Sequence, residues 1–229
     1  MKYKLYLVII LFIFLSFLLY KFFLKEIHKR VCNNIYNQTP LYNKQKIIHN
    51  FLSHEECDEI IEEGENYASL NGWTTKRHEN YPTTDNQIVS TWNCYSKLEK
   101  KIKQELYPEY SKLFKINNKL LEIQELFIAK YDGDKSNSKK SLIKHVDGSE
   151  FSFIIALNDN YKGSGTYFLK NKKKILLNKG DVVIFCGQTE HAGLPVTQGV
   201  RYILPGFIYY GKCEQQDDSD DSDDSDDEL

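Results

Sequence analysis

The sequence predicts a mainly β chain: a jelly-roll core with helices at its front, buttressing one face. Two observations carry that reading. From Leu120 to Ile208, short apolar runs follow one another with turn residues between them, the pattern of a β-sandwich or barrel. Ahead of them, two segments show helical spacing, the first opened by a helix-start signal.

The elements follow in order. Ile47-Ile48-His49-Asn50-Phe51-Leu52 reads as a short strand. Ser53-His54-Glu55-Glu56 is a capping box, in which the serine caps and Glu56 reaches back, so a helix should run to about Tyr67 with Ile60 and Ile61 inward. Leu98, Ile102 and Leu106 recur at i, i+4 and i+8, predicting a second helix over 96–106 that ends before Pro108. Strands are expected at 123–131, 145–157 (with Phe151, Phe153 and Ile155 alternating), 166–169, 175–177, 182–185 and 199–208. No internal repeat interrupts this order.

The flanks differ from the body. Residues 5–24 are apolar except near their end, at Lys21, and about 20 such residues span a bilayer. No small-residue cleavage site follows, so residues 1–30 are expected to be an uncleaved membrane signal anchor with a basic flank. Residues 31–45, polar and rich in Asn, Gln and Lys, read as a linker; 46–213 is the globular domain, with the jelly roll at about 120–210; and 214–229 is a disordered acidic tail. Charge counting around the anchor (Lys2 and Lys4 before it; Lys21, Lys25, Lys29 and Arg30 after it) leaves the body cytosolic or undecided. The terminal Asp226-Asp227-Glu228-Leu229, a variant of the endoplasmic-reticulum retention address, and the sequon Asn37-Gln38-Thr39 point instead to the lumen. The expectation is therefore an endoplasmic-reticulum membrane protein with its domain in the lumen.

Net charge is −2, but the tail holds ten acidic residues, which leaves 30 basic against 22 acidic elsewhere. A solvated lysine-rich surface accounts for that balance, and no nucleic-acid reader motif is present, so no nucleic-acid partner is expected. Five scattered cysteines with no Cys-x-x-Cys pair argue against structural zinc and against a disulfide framework.

The chemistry is concentrated in His145, Asp147 and, 44 residues further on, His191. On a strand, residues i and i+2 point to one face, so His145 and Asp147 can be presented together, with His191 returning to the same barrel mouth. Two imidazoles and one carboxylate on one face of a metal form the Fe(II) site that leaves positions open for substrate and oxygen. Arg201 lies ten residues past His191 among Val200, Tyr202, Ile203 and Leu204, so it can face the interior and grip a carboxylate with its planar fork. That is the cation a 2-oxo acid co-substrate needs. Tyr131, one of sixteen tyrosines, and Thr166 are further candidates to touch the co-substrate. His54 and His78, standing alone, read as structural histidines.

The stretch His145-Val-Asp, Phe153-Ile-Ile-Ala-Leu-Asn, Tyr161-Lys-Gly-Ser-Gly-Thr-Tyr-Phe, Gly180-Asp and His191-Ala-Gly-Leu-Pro-Val-Thr-Gln-Gly-Val-Arg201-Tyr resembles the 2-oxoglutarate, Fe(II)-dependent dioxygenases of the procollagen lysyl and prolyl 4-hydroxylase group. Residues 72–85 also resemble a segment that precedes the jelly roll in lysyl-hydroxylase-like members. The resemblance implies a double-stranded β-helix and iron on His145, Asp147 and His191. It further implies 2-oxoglutarate held by Arg201, O2 as co-substrate, ascorbate support, and a protein or peptide substrate. Arginine at the carboxylate position leans to the lysyl side, since the prolyl 4-hydroxylases generally use lysine there; Gly163-Ser164-Gly165 departs from the usual triple glycine. The expected reaction is hydroxylation of peptidyl lysine in collagen-like proteins with release of succinate and CO2. A prolyl 4-hydroxylase of proline-rich proteins and a non-catalytic jelly-roll binding module stay open beside it.

Overall fold

The structure, a computed structural model, describes residues 43–211 apart from 79–80 and 137. The expected anchor, most of the linker, the acidic tail with its terminal Asp-Asp-Glu-Leu, Cys32 and Cys213 lie outside the described residues. No described helix is long and apolar enough to cross a membrane.

Strand β1 (Gln45–Ile48) stops earlier than the sequence suggests. Asn50 takes a left-handed conformation (φ 53°), its amide donates to Asp181 Oδ1, and Phe51 and Leu52 turn down into the core. Helix α1 (His54–Asn71) then opens on the expected box: Ser53 Oγ accepts from the Glu56 amide at 3.1 Å, and Glu56 Oε2 accepts from the Ser53 amide at 2.8 Å. It runs one turn past Tyr67, to Gly72, whose φ of 80° suits a residue without a Cβ. Cys57, Ile60 and Gly64 form its buried stripe, and Ile61 is only half-buried.

The second helix does not end before Pro108. Helix α2 (Tyr95–Lys101) passes through a π turn (Ile102–Leu106) into α3 (Tyr107–Phe114). The Tyr107 amide reaches back to the Ile102 carbonyl, so a fresh helical start falls at the proline, where a missing N–H costs nothing. Leu98, Ile102 and Leu106 are all buried, as their spacing predicts.

Two antiparallel sheets form the jelly roll. With β2 at Asp85–Gln87, β9 at Val182–Cys186 and β10 at His191–Gly193, the larger has the order β1-β9-β5-β12-β3-β2 and the smaller β4-β10-β7-β8, with β6 (Lys162–Gly163) and β11 (Val196–Gln198) paired beside them. The long strands β3 (Leu121–Asp132) and β12 (Val200–Tyr210) lie together in the large sheet. The expected single strand over 145–157 is two strands in different sheets: β4 (Leu142–His145) in the small one and β5 (Phe151–Ala156) in the large one. Residues 146–150 cross between them. Likewise β8 is Lys173–Ile175 rather than 175–177, and β7 is Thr166–Phe168.

All six residues of β5 are buried because both of its faces are covered. Phe151, Phe153 and Ile155 pack beneath the helices, together with Val182 and Ile184 of β9 (Val182–Cys186). Ile154 and Ala156, with Val183 and Phe185, face the space between the sheets. The helices therefore close one side of the large sheet and leave the other side to the functional cavity.

The capping box makes one direct prediction. Ser53→Ala should lower the unfolding free energy by about 1 kcal/mol, the usual cost of losing such a cap. Chemical denaturation reads this, and an unchanged midpoint with an unchanged slope would show that α1 is held without the box.

Candidate functional site

His145 closes β4, and His191 opens β10 (His191–Gly193); the two are direct partners in the antiparallel register. Residues paired across such a ladder share a face, and the two imidazole centroids lie 4.3 Å apart. The carboxylate arrives differently from the sequence expectation. Asp147 does not share a strand with His145 but sits in the crossing segment after it, where its amide donates to the Gly187 carbonyl at 2.8 Å. Gln188 Nε2 donates to the Asp147 carbonyl at 3.0 Å. Asp147 Oδ1 then stands 3.4 Å from His145 Nε2 and 3.9 Å from His191 Nε2. The three candidate ligand atoms lie within 4.8 Å of one another, and this is the one cluster of its kind among the described residues.

Both histidines are oriented by the same device. His145 Nδ1 lies 2.9 Å from the Ile143 carbonyl, and His191 Nδ1 lies 2.9 Å from the Thr189 carbonyl. A carbonyl can only accept, so each Nδ1 carries a proton, and each Nε2, turned toward Asp147, is the nitrogen that gives up its proton when a metal binds. Burial disfavours a charged Asp147, yet the carboxyl is held below its usual range by the charge of His191, the hydrogen bond with His145 and the Ser152 hydroxyl. Burial also works against a charged His145, but Asp147 outweighs it and raises that imidazole. His191, more enclosed, is pushed down by its burial.

Arg201 is opposite Tyr131 in the β12–β3 register and is 4% exposed. Its guanidinium carbon lies 5.9 Å from the Tyr131 ring centre and 6.0 Å from that of Tyr161, and its Nε is buried with no hydrogen-bond partner. No carboxylate of the described residues pairs with it, although a buried cation ordinarily demands one. An anion entering the cavity supplies that partner. Burial pushes the Tyr131 phenol up to about 12, so its hydroxyl stays protonated and able to donate. Thr166 is buried on β7. His145, Asp147, His191, Arg201, Tyr131 and Thr166 all line one cavity of about 150 Å³, with Phe127, Leu142, Ile203 and Phe207 forming apolar walls. A larger hollow of about 440 Å³ runs along α1 and α2, edged by Glu56, Glu59 and Glu63, and shares no residue with it.

Three participants were not singled out as site residues from the sequence. Gly187 receives the Asp147 amide, and the Ser149 carbonyl lies so close that a Cβ on Gly187 would fall 2.2 Å from it. His78, expected to be structural, lines the cavity, as does Tyr81, whose ring centre is 5.1 Å from that of His145. The likeness of residues 72–85 to a known segment was the signal for both. The three described cysteines, Cys57, Cys94 and Cys186, are unpaired, and burial raises each thiol to about 12, so none is a poised nucleophile.

No protein-family model matches the chain. It is 33% identical over 167 residues to procollagen-lysine,2-oxoglutarate 5-dioxygenase 1 of Bos taurus, a match covering 66% of this chain and 22% of that protein. The chain thus spans about a fifth of the length of the curated relatives it matches. Among solved structures it is similar to the viral collagen prolyl hydroxylase of Paramecium bursaria Chlorella virus-1 in its 2-oxoglutarate complex, with TM-score 0.55, 20% identity, and coverage of 72% of this chain and 94% of that one. It is also similar to a Trichoplax adhaerens prolyl hydroxylase bound to a hypoxia-inducible-factor peptide fragment, with TM-score 0.57, 17% identity, and coverage of 81% and 91%. These likenesses establish the fold as the jelly roll of the 2-oxoglutarate, Fe(II) oxygenases.

Because the Asp147 segment rests on backbone atoms of Gly187, Gly187→Ala should push residues 146–150 away and spread the three ligand atoms. Divalent-metal affinity is expected to fall about 10- to 100-fold, the usual effect of disturbing the groups that orient a ligand. Calorimetric titration under nitrogen measures it, and wild-type affinity in a folded variant would show that Gly187 does not set the position of Asp147.

Proposed function

We infer that this chain, which belongs by sequence and fold with the 2-oxoglutarate- and Fe(II)-dependent dioxygenases of the procollagen lysyl and prolyl hydroxylase group, hydroxylates peptidyl lysine in collagen-like proteins. The observation that carries the reading is the meeting, in one small cavity, of an imidazole–carboxylate–imidazole cluster with a buried arginine that has no carboxylate partner among the described residues. In this reading His145 Nε2, His191 Nε2 and the Asp147 carboxylate hold Fe(II). Arg201 takes the distal carboxylate of 2-oxoglutarate through its planar fork, and the Tyr131 and Thr166 hydroxyls stand beside it as donors.

Bound Fe(II) supplies oxygen activation coupled to conversion of 2-oxoglutarate into succinate and CO2, with ascorbate keeping the metal reduced. The chain does the rest. The Ile143 and Thr189 carbonyls fix both imidazole tautomers, and Arg201 with its aromatic neighbours fixes the co-substrate's direction. Phe127, Leu142 and Phe207 keep bulk water from the reacting carbon. The lysyl assignment is supported by the sequence likeness to procollagen-lysine dioxygenases and by arginine at the carboxylate position. For location, the apolar run at 5–24 and the terminal Asp-Asp-Glu-Leu support a membrane-anchored enzyme with its domain in the endoplasmic-reticulum lumen.

Succinate release is the direct assay, run with Fe(II), ascorbate and 2-oxoglutarate against collagen-like lysyl and proline-rich peptides. One added oxygen should map to lysine; an oxygen on proline would establish the prolyl reading, and no turnover or metal binding the non-catalytic one. Asp147→Ala should reduce succinate release by roughly 100-fold or more, because the metal loses the one carboxylate that the described residues offer it. Normal release from that variant would remove Asp147 from the metal site. Arg201→Ala should raise the KM for 2-oxoglutarate at least about 30-fold, matching a loss of about 2 kcal/mol for one partner of a buried charge pair. An unchanged KM would place the distal carboxylate on another residue.

A further inference from the structure

We propose that His78 is a substrate-positioning residue whose Nε2 accepts a hydrogen bond from the ammonium of the lysine presented to the metal site; this rests on the lysyl reading above. His78 lines the same cavity as the triad. Its ring leans on Phe127, with centres 5.1 Å apart, and meets Phe207 edge-on at 6.4 Å. Nε2 is buried and has no hydrogen-bond partner among the described residues. The nearest carboxylate oxygen, Asp85 Oδ2, is 3.9 Å away, beyond hydrogen-bond reach, and Asp85 is already bonded to Arg77 and Thr83. A buried ring nitrogen left this way is costly, so its partner comes from what enters the cavity.

The allocation of charge points the same way. Of the histidine, acidic and cationic side chains that line the cavity among the described residues, the triad goes to the metal and Arg201 to the co-substrate. His78 is what remains for the substrate. Burial pushes its imidazole below the ordinary value despite Asp85, so near neutral pH the ring is uncharged and can accept. Beside it the rings of Phe127, Phe207 and Tyr81 line the cavity, and behind it the guanidinium of Arg77, which lies 5.3 Å from the Phe127 ring centre, is shared by two carboxylates, Asp85 and Glu125. A lysine whose methylenes lie over the triad carries its ammonium only a bond or two further, within the same small cavity. A prolyl ring brings no donor and would leave Nε2 unpaired, and a site built to bond a substrate N–H discriminates against analogues that lack it.

The test uses the enzyme loaded with Fe(II) and 2-oxoglutarate under nitrogen, where no turnover occurs. Fluorescence anisotropy follows collagen-like peptides carrying lysine, norleucine or proline at the target position. The wild type should bind the lysyl peptide at least about tenfold more tightly than the norleucyl one, a difference of about 1.4 kcal/mol. His78→Phe should bring the two within about twofold, and His78→Gln, which keeps an acceptor, should restore part of the gap. His78→Asn draws the acceptor back and should lose the preference as well, which guards against a misfolded Phe variant. A lysine preference that survives in both His78→Phe and His78→Asn overturns the assignment of His78 while leaving the lysyl reading standing. No lysine preference in the wild type overturns the lysyl reading, and the role of His78 with it.

Discussion

A carboxylate that is 7% exposed between two β-sheets needs compensating partners, and the arrangement around Asp147 supplies them. Two imidazoles stand within 4 Å of its oxygen, the Ser152 hydroxyl is close by, and its own amide and carbonyl are tied to Gly187 and Gln188. None of these groups is local to Asp147 in the way helix or hairpin neighbours are. His191 arrives through the β4–β10 register, Ser152 from the start of strand β5, and Gly187 from just past the end of β9. The three strands and the crossing segment must all be in place before the charge is tolerable. A one-residue slip of β10 against β4 would turn the His191 side chain to the opposite face and leave the carboxylate poorly compensated.

Strand parity does the rest of the positioning. Along β12, Arg201, Ile203, Pro205 and Phe207 line the cavity, while Leu204 and Ile208 pack under the helices. Along β3, Phe127 and Tyr131 face the cavity in the same way. The helical layer lets this division work: by covering one face of the large sheet with Ile102, Leu106, Tyr110 and Phe114, it frees the other face from supplying all of the apolar burial. Polar groups can then occupy the inner face without starving the core. Tyr110 shows how closely the layers are joined, since its hydroxyl donates to the carbonyl of Ser152, whose side chain faces the Asp147 site.

What could be read from the sequence was whatever depends on short-range pattern. The capping box at Ser53, the Leu98–Ile102–Leu106 stripe and the positions of β3, β9 and β12 follow from spacing alone, and the structure places them within a few residues of expectation. Arg201 was legible because its flanks are apolar. The misread parts involve non-local partners. His145 and Asp147 invited an i, i+2 reading, yet the pairing that matters joins His145 to His191 across the ladder, and Asp147 turns in from the loop. Pro108 read as a stop because a proline's effect depends on whether the helix in front of it closes its own hydrogen bonds, and the π turn hands that bonding over. His78 looked inert because nothing in its local sequence shows that Phe127 and Phe207, from two different strands, hold its ring against the cavity.

The state of Arg201 explains why arginine, rather than lysine, suits this barrel. An ammonium is a compact, strongly hydrated charge, and burying it without an anion would favour the neutral amine; a guanidinium stays charged. Here the cation lies between Tyr131, its cross-strand partner, and Tyr161, with ring centres 5.9 and 6.0 Å from its central carbon. Those two rings stabilise the charge through their faces and limit the rotation of the fork. The fork is therefore ordered by the sheet before any carboxylate arrives, and less entropy is lost when one does. Anchoring of the co-substrate and selection of the metal thus draw on the same strands. β12 carries the cation opposite β3, and β10 carries an imidazole opposite β4, so the distance between the co-substrate grip and the two imidazoles is set by how the two sheets pack, and the crossing segment adds the carboxylate.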